Sequence, residues 1–318
     1  TQTFSHVNQN PTLSFSQKFK LLTIFMAVFT EEKKKLLLEA LSYIKSFKEK
    51  IVVIKYGGAA MIEETLKHDF AQDIVLLQSL GMLPVIVHGG GPEVSALSKR
   101  LSYIPRFQEG IRITSPEEME VVDMVLAGSA NKRLVRVLSA AGVHAVGICG
   151  SDGPTIVSQL EESPAGTRTG TVKAVDTHLL SVLMATGFVP VVSPVCDDGA
   201  GAGVNVNADT VACQLATAIE TDILVFISDI DGVRKSGAVL PYLGSVEAES
   251  EIVSGTITDG MIPKIRSSIA AVEAGVGRVH IGDYTGSGAL QELLDGKRGT
   301  ILGRGAGEDN RPIGSVGT

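Results

Sequence analysis

Apolar positions along this chain follow two alternating rhythms: short branched-apolar runs, and longer stretches with an apolar residue every third or fourth position. The runs over 51–54 and 83–87 are rich in Val and Ile, the composition of strands buried on both faces of a parallel sheet. Between them Ile62, Leu66, Phe70, Ile74 and Leu77 fall on one helical face. Ser115-Pro116-Glu117-Glu118 has the form of a capping box with proline at the first helical position, and predicts a helix running to Gly142, followed by a strand over 143–148. The spacing predicts a further helix over 176–187 and a strand over 188–192. The second half continues with a helix from Asp209, a strand over 223–227, a helix from about Gly260 and a strand over 278–281. Ahead of all these, Thr30 opens a helix with Glu31 and Glu32 in its first turn and Leu37, Ala40, Leu41, Ile44 and Phe47 along one face. Strands alternating with helices predict an α/β fold, a mostly parallel central sheet with helices on both faces in three αβα layers.

A length of 318 residues accommodates one large α/β unit or two lobes, and 44% hydrophobic with 20% charged residues is ordinary for a globular chain. The net charge of −7 speaks against a nucleic-acid partner, which needs a basic surface, but leaves room for an anion held by a few lysines and backbone N–H groups. No apolar run approaches the roughly 20 residues of a membrane span. Cys149, Cys196 and Cys213 lie far apart in no metal-binding spacing, and read as small buried hydrophobes in a reducing, cytoplasmic setting. Residues 1–29 contain no Asp or Glu and are expected to lie outside the fold as a leader or extension; a remnant of a plastid transit peptide is the alternative reading.

The glycines mark where chemistry is expected. In an open parallel sheet, ligands bind at the carboxyl ends of strands. The first strand ends in Lys55-Tyr56-Gly57-Gly58 and the second in His88-Gly89-Gly90-Gly91-Pro92. Such glycines let backbone N–H groups approach phosphate oxygens closely, and Lys55 adds a mobile charge. Neither loop has the P-loop or dinucleotide fingerprint. A third cluster, Asn205-Val206-Asn207-Ala208-Asp209, carries more polar side chains than capping requires, although Asp209 is also a candidate N-cap. Asp229-Ile230-Asp231-Gly232 suits a β-turn or a nucleotide-contacting loop equally. Lys264, following Pro263 in a first helical turn, opposes the helix dipole unless an anion compensates it.

Taken in order, IKYGGAAM (54–61), VHGGGPEVS (87–95), EGIRIT (109–114), MEVVDMVLAGSANK (119–132), GTVKAVD (170–176), NVNADTVA (205–212), ISDIDGV (227–233) and ITDGMIPKI (257–265) resemble the amino acid kinase family, over residues 51 to about 303. EGIRIT with VLAGSANK directs the resemblance to its acetylglutamate kinase branch. The resemblance implies phosphorylation of the side-chain carboxylate of N-acetyl-L-glutamate by ATP, with Mg2+ carried by the nucleotide and no dedicated metal site. It implies an acetylglutamate-binding lobe over 51–200 and an ATP-binding lobe over 201–318, with 30–50 as the amino-terminal helix. Lys55 and Lys264 are then expected to neutralise the transferred phosphoryl group and Asp209 to hold them. Gly90, Gly91, Arg112 and Asn205 are expected to bind the acid, and Gly57, Gly58, Asp229 and Asp231 the nucleotide and its phosphates. By the same resemblance the chain is expected to be a homo-oligomer, a dimer or a hexamer of dimers joined through the amino-terminal helix, with L-arginine as an effector. Three departures stand out. Gly150-Ser151-Asp152-Gly153 has Ser151 where the family usually has lysine, Ala59 replaces a frequent asparagine, and 282–286 departs from the pattern expected around an arginine site.

Overall fold

Eight strands form one hydrogen-bonded sheet centred on Ile51–Tyr56 in this computed structural model, which describes residues 30–108, 110–161, 166–258 and 260–305. The extension expected over 1–29, together with Glu109 and Asp259 of two motifs, lies outside the described residues. On one side of the central strand the order is Leu83–His88, Val189–Ser193, Ala145–Cys149; on the other it is Ile223–Ser228, Arg278–Asp283, Thr300–Gly303, Tyr242–Gly244. Neighbouring strands are parallel except for Arg278–Asp283 against Thr300–Gly303.

Successive side chains of a strand point to opposite faces, and this alternation sorts the core into two layers. Val53 packs with Leu180, Val211, Leu215, Ile265 and Ile269, so the helices His178–Ala185, Ala208–Ala218 and Met261–Glu273 cover that face. Val52, Ile54 and Tyr56 pack with Phe70, Ile74, Leu134 and Leu290, so Glu64–Ser79, Asn131–Ala140 and Ala289–Leu294 cover the other. The predicted three-layer α/β architecture is the one found. Lys55 has the parity of Val53, which turns it toward the helices that begin near Asp209 and Lys264.

Several expectations are corrected. Ile62 precedes the Glu64–Ser79 helix and is 65% exposed, so it belongs to no helical face. The capping box at Ser115 forms as predicted, Glu118 N donating to Ser115 Oγ at 3.2 Å and Ser115 N to Glu118 Oε2 at 3.3 Å. The helix it opens, however, widens into a π-helix over Asp123–Ala130 before resuming as Asn131–Ala140. Ser129 Oγ donates to Val125 O at 3.3 Å, so a hydroxyl competes for the carbonyl that an α-turn would give to the backbone. Along Glu31–Phe47, capped by Thr30, only Phe47 of the expected apolar face is buried, while Leu36, Leu38, Leu41 and Ile44 are exposed. A small closed barrel of Ile156–Leu160, Thr169–Val175, Val195–Asp197 and Gly203–Val206 was not anticipated, because its strands are short and no helix lies between the two strands of either consecutive pair.

Candidate active site

Three charged side chains meet where the central strand ends. Lys55 Nζ lies 3.0 Å from Asp209 Oδ1, and Lys264 Nζ lies 2.8 Å from Asp209 Oδ2. Asp209 is the second residue of its helix; the N-cap is Asn207, whose Oδ1 accepts from Asp209 N at 2.7 Å and Thr210 N at 3.3 Å. The capping role is therefore filled, and the Asp209 carboxylate is free to bridge the lysines. Burial alone drives this carboxyl toward its neutral form, but the charges of Lys55 and Lys264 outweigh it and hold it below the usual carboxylate range. Burial is also the leading influence on Lys264, which it shifts downward, Lys55 adding to that shift and Asp209 opposing it. Lys264 further sits 4.7 Å from the centroid of the Phe226 ring. The group carries two cations and one anion, a net positive charge in a partly buried place. That is what an anionic phosphoryl group needs.

The glycines are required by contact as well as by conformation. A Cβ on Gly57 would stand 2.5 Å from Lys55 Nζ, and one on Gly58, at φ +66°, would collide with the Asp229 carboxylate. Gly90 adopts φ +148°, and a Cβ there would come within 2.6 Å of Leu126 Cδ2. Gly91 begins the Gly91–Arg100 helix, where the first amides have no acceptor one turn back.

A cavity of about 230 Å³ is lined by Lys55, Gly90, Gly91, Arg112, Asn205 and Asp209. Arg112, itself buried, donates through Nη2 to Gly91 O at 3.0 Å and to Ser95 Oγ, and its guanidinium lies 4.8 Å from the Phe107 ring centroid. Its Nη1 is buried with no hydrogen-bond partner among the described residues. An unpaired donor on a buried guanidinium is costly unless an anion meets it. Asn205 Nδ2 donates to Thr114 Oγ1 at 2.9 Å. A second cavity, about 820 Å³, shares Asp209 and is lined also by Lys264, Pro263 and Thr210. A third, about 500 Å³, is lined by Asp229, Asp231 and Met261. Asp231 is gripped there by Arg234, whose Nη2 and Nε donate at 2.6 and 3.1 Å. The loop with Ser151 lines none of these three cavities.

Two residues beside the glycine loop escaped the sequence reading. His88 Nδ1 donates to Gly89 O at 2.8 Å, while its Nε2 accepts from Asn131 Nδ2 at 3.1 Å. Burial lowers the His88 pKa to about 4, so the ring is neutral and both nitrogens are occupied. Asn131 also donates to Val191 O at 2.9 Å. A polar residue at a position that the helical period assigns to the core was the signal that could have found it.

The profile of the Amino acid kinase family matches residues 50–283. An acetylglutamate kinase from Kosmotoga olearia is 45% identical over 246 residues, 77% of this chain and 87% of that protein. Acetylglutamate kinases from Symbiobacterium thermophilum and Synechococcus sp. are 42% and 36% identical, over 79% and 91% of this chain and 90% and 98% of theirs. Among solved structures, smu.665 from Streptococcus mutans superposes with TM-score 0.70 at 29% identity, covering 80% of this chain and 99% of that one. N-acetylglutamate synthase from Neisseria gonorrhoeae, complexed with coenzyme A and N-acetyl-glutamate, gives 0.74 at 24% identity, covering 85% and 63%, a likeness of fold.

Proposed function

The chain belongs to the amino acid kinase family, and from that premise we propose that it transfers the γ-phosphoryl group of ATP to the side-chain carboxylate of N-acetyl-L-glutamate. The observation that carries this reading is the Lys55–Asp209–Lys264 bridge, of which Lys55 and Asp209 line the same cavity as Arg112, whose Nη1 has no partner among the described residues.

A carboxylate is already ionised at neutral pH, so it attacks phosphorus without a general base. One of its oxygens forms the new O–P bond while the bond to the ADP oxygen breaks, and the electron pair leaves with ADP. What the protein must supply is alignment and neutralisation of the equatorial phosphoryl oxygens. Lys55 and Lys264 supply the charge, Asp209 keeps the two ammonium groups apart and aimed, and the Gly90–Gly91 amides receive oxygens on the acid side. Arg112 suits the second carboxylate of the acid, and Asn205 its polar groups. Asp229 and the cavity around it suit the nucleotide. Mg2+ enters as part of the ATP substrate, held by the phosphates. Among the described residues no group of three or more His, Cys, Asp or Glu could hold a metal ion. ADP release measured with N-acetyl-L-glutamate, L-glutamate and L-aspartate side by side tests the assignment, and activity on the acetylated acid alone is expected. Turnover of aspartate or carbamate without turnover of N-acetyl-L-glutamate would overturn it.

We further propose that the exposed Leu36, Leu38, Leu41 and Ile44 of the Glu31–Phe47 helix join copies of the chain into an oligomer built on dimers. Light scattering should give a larger mass for the full chain than for one starting near Lys50. Equal masses would end this proposal. Sensitivity to L-arginine rests on the family resemblance alone, and a rate unmoved by millimolar arginine would remove it.

A further inference from the structure

We infer that Thr114 and Thr169 are positioning residues for the acid substrate, fixing Arg112 and Asn205 relative to each other. The inference rests on the proposed reaction. Arg112 belongs to a two-stranded hairpin, Arg106–Gln108 with Ile111–Ile113, where it pairs with Phe107. Asn205 belongs to the small barrel, where it pairs with Thr169. Nothing in the chain order brings these two side chains to one cavity.

The junction between hairpin and barrel is made by hydroxyls. Thr169 Oγ1 donates to Arg112 O at 2.8 Å and accepts from Thr114 N at 2.9 Å, so one side chain stands in for a missing strand partner along the hairpin edge. Arg168 N donates to Thr114 O at 2.7 Å, and Asn205 N donates to Arg168 O at 2.8 Å. The circuit closes through Asn205 Nδ2 and Thr114 Oγ1. Thr114 and Thr169 are 0% and 2% exposed. A buried hydroxyl costs free energy compared with a methyl of the same shape unless its hydrogen bonds are made, and here they are made; valine would leave Arg112 O and Thr114 N, or Asn205 Nδ2, without that partner. Among the described residues the two hydroxyls bond to Arg112 O, Thr114 N and Asn205 Nδ2, groups at or beside the acid site, which points to a use in that site. Neither touches Lys55, Asp209 or Lys264 by any hydrogen bond or ion pair among the described residues.

The experiment compares full-length wild type, Thr169→Val, Thr114→Val and Thr169→Ser, reading KM for N-acetyl-L-glutamate, KM for ATP and kcat. Each valine variant is expected to raise the acid KM by about tenfold, the scale of one or two lost hydrogen bonds, with kcat and the ATP KM within about threefold of wild type. Thr169→Ser keeps the hydroxyl and is expected to restore the acid KM. A folded Thr169→Val with the wild-type acid KM would overturn the inference, as would parallel losses in kcat and both KM values. Should Thr169→Val fail to fold, Thr114→Val, which loses the Asn205 bond while keeping its backbone bonds, decides on the same criteria. A wild type inactive on N-acetyl-L-glutamate would instead remove the proposed function, which keeps the two failures distinguishable.

Discussion

Asn131 Nδ2 donates to His88 Nε2 at 3.1 Å, joining the first residue of a helix to the last residue of a strand behind the glycine loop. Through the opposite ring nitrogen the same contact reaches Gly89 O, so a single amide holds the start of the loop. Asn131→Ala would strand the His88 nitrogen and the Val191 carbonyl in a buried place, at a cost of about 2–4 kcal/mol. The chain has no tryptophan, so melting is best followed by circular dichroism. A midpoint several degrees lower is expected, with reduced kcat/KM for the acid; a midpoint within a degree of wild type would refute the assignment.

Lys55→Ala and Lys264→Ala should each lower kcat by on the order of a hundredfold or more, with much smaller changes in either KM, because their charge is used mainly as the transition state forms. Arg112→Ala should do the reverse, raising the acid KM while kcat at saturation stays near wild type. Steady-state kinetics varying each substrate separates the two patterns. Lysine variants that change only the ATP KM would make these residues simple docking groups.

Gly57→Ala tests contact without strain, since Gly57 has no positive φ and its added Cβ would meet only the mobile Lys55 side chain beneath about 3 Å. The expected outcome is a near-normal melting temperature with a large fall in kcat, as the ammonium is pushed off Asp209. Gly90→Ala should lose stability as well, because φ +148° and Leu126 both oppose a side chain. Equal melting losses in both variants would contradict the distinction.

His88 and His280 carry the pH prediction. Burial lowers each from its ordinary value of 6.5 to about 4, and His280 Nδ1 donates to Leu293 O at 2.6 Å. Between those pH values the unfolded chain binds the protons more readily than the folded one. Stability from these groups is therefore whole above about pH 6.5 and is lost as pH falls toward 4, by on the order of 3 kcal/mol per histidine. Melting temperatures from pH 7.5 to 5 should fall accordingly. Of the six histidines, two should keep neutral-ring NMR signals down to pH 5. Six rings titrating near 6.5 would refute the prediction.

The layers were legible because 51–54, 83–87 and 223–227 are apolar without interruption, which only a doubly covered strand tolerates. The lysine bridge was legible in its parts: a lysine before glycines, another near a helix start, and an aspartate with a polar neighbour to spare. Which residue capped the helix was not, since Asn207 and Asp209 are both capable caps and only the backbone geometry chooses. Thr169 stayed hidden for a different reason. Its role depends on a hairpin 55 positions earlier in the chain docking against its barrel strand, and no local period encodes that docking. The π-helix escaped for a third reason, because the mostly apolar Asp123–Ala130 has the composition of an ordinary helical segment.

That widened segment has a consequence for how this chain tolerates insertions and deletions. A π-turn takes up one more residue than an α-turn, so Asp123–Ala130 sets the angular phase of everything after it. Deleting one residue between Asp123 and Ala130 would let the helix close into regular α-turns with Asn131 still facing His88 and Val191, whereas inserting one more would rotate Asn131 by about 100° away from them. The segment can therefore lose one residue more readily than it can gain one. The widened turns of Asp123–Ala130 are the place where this helix absorbs a change of length.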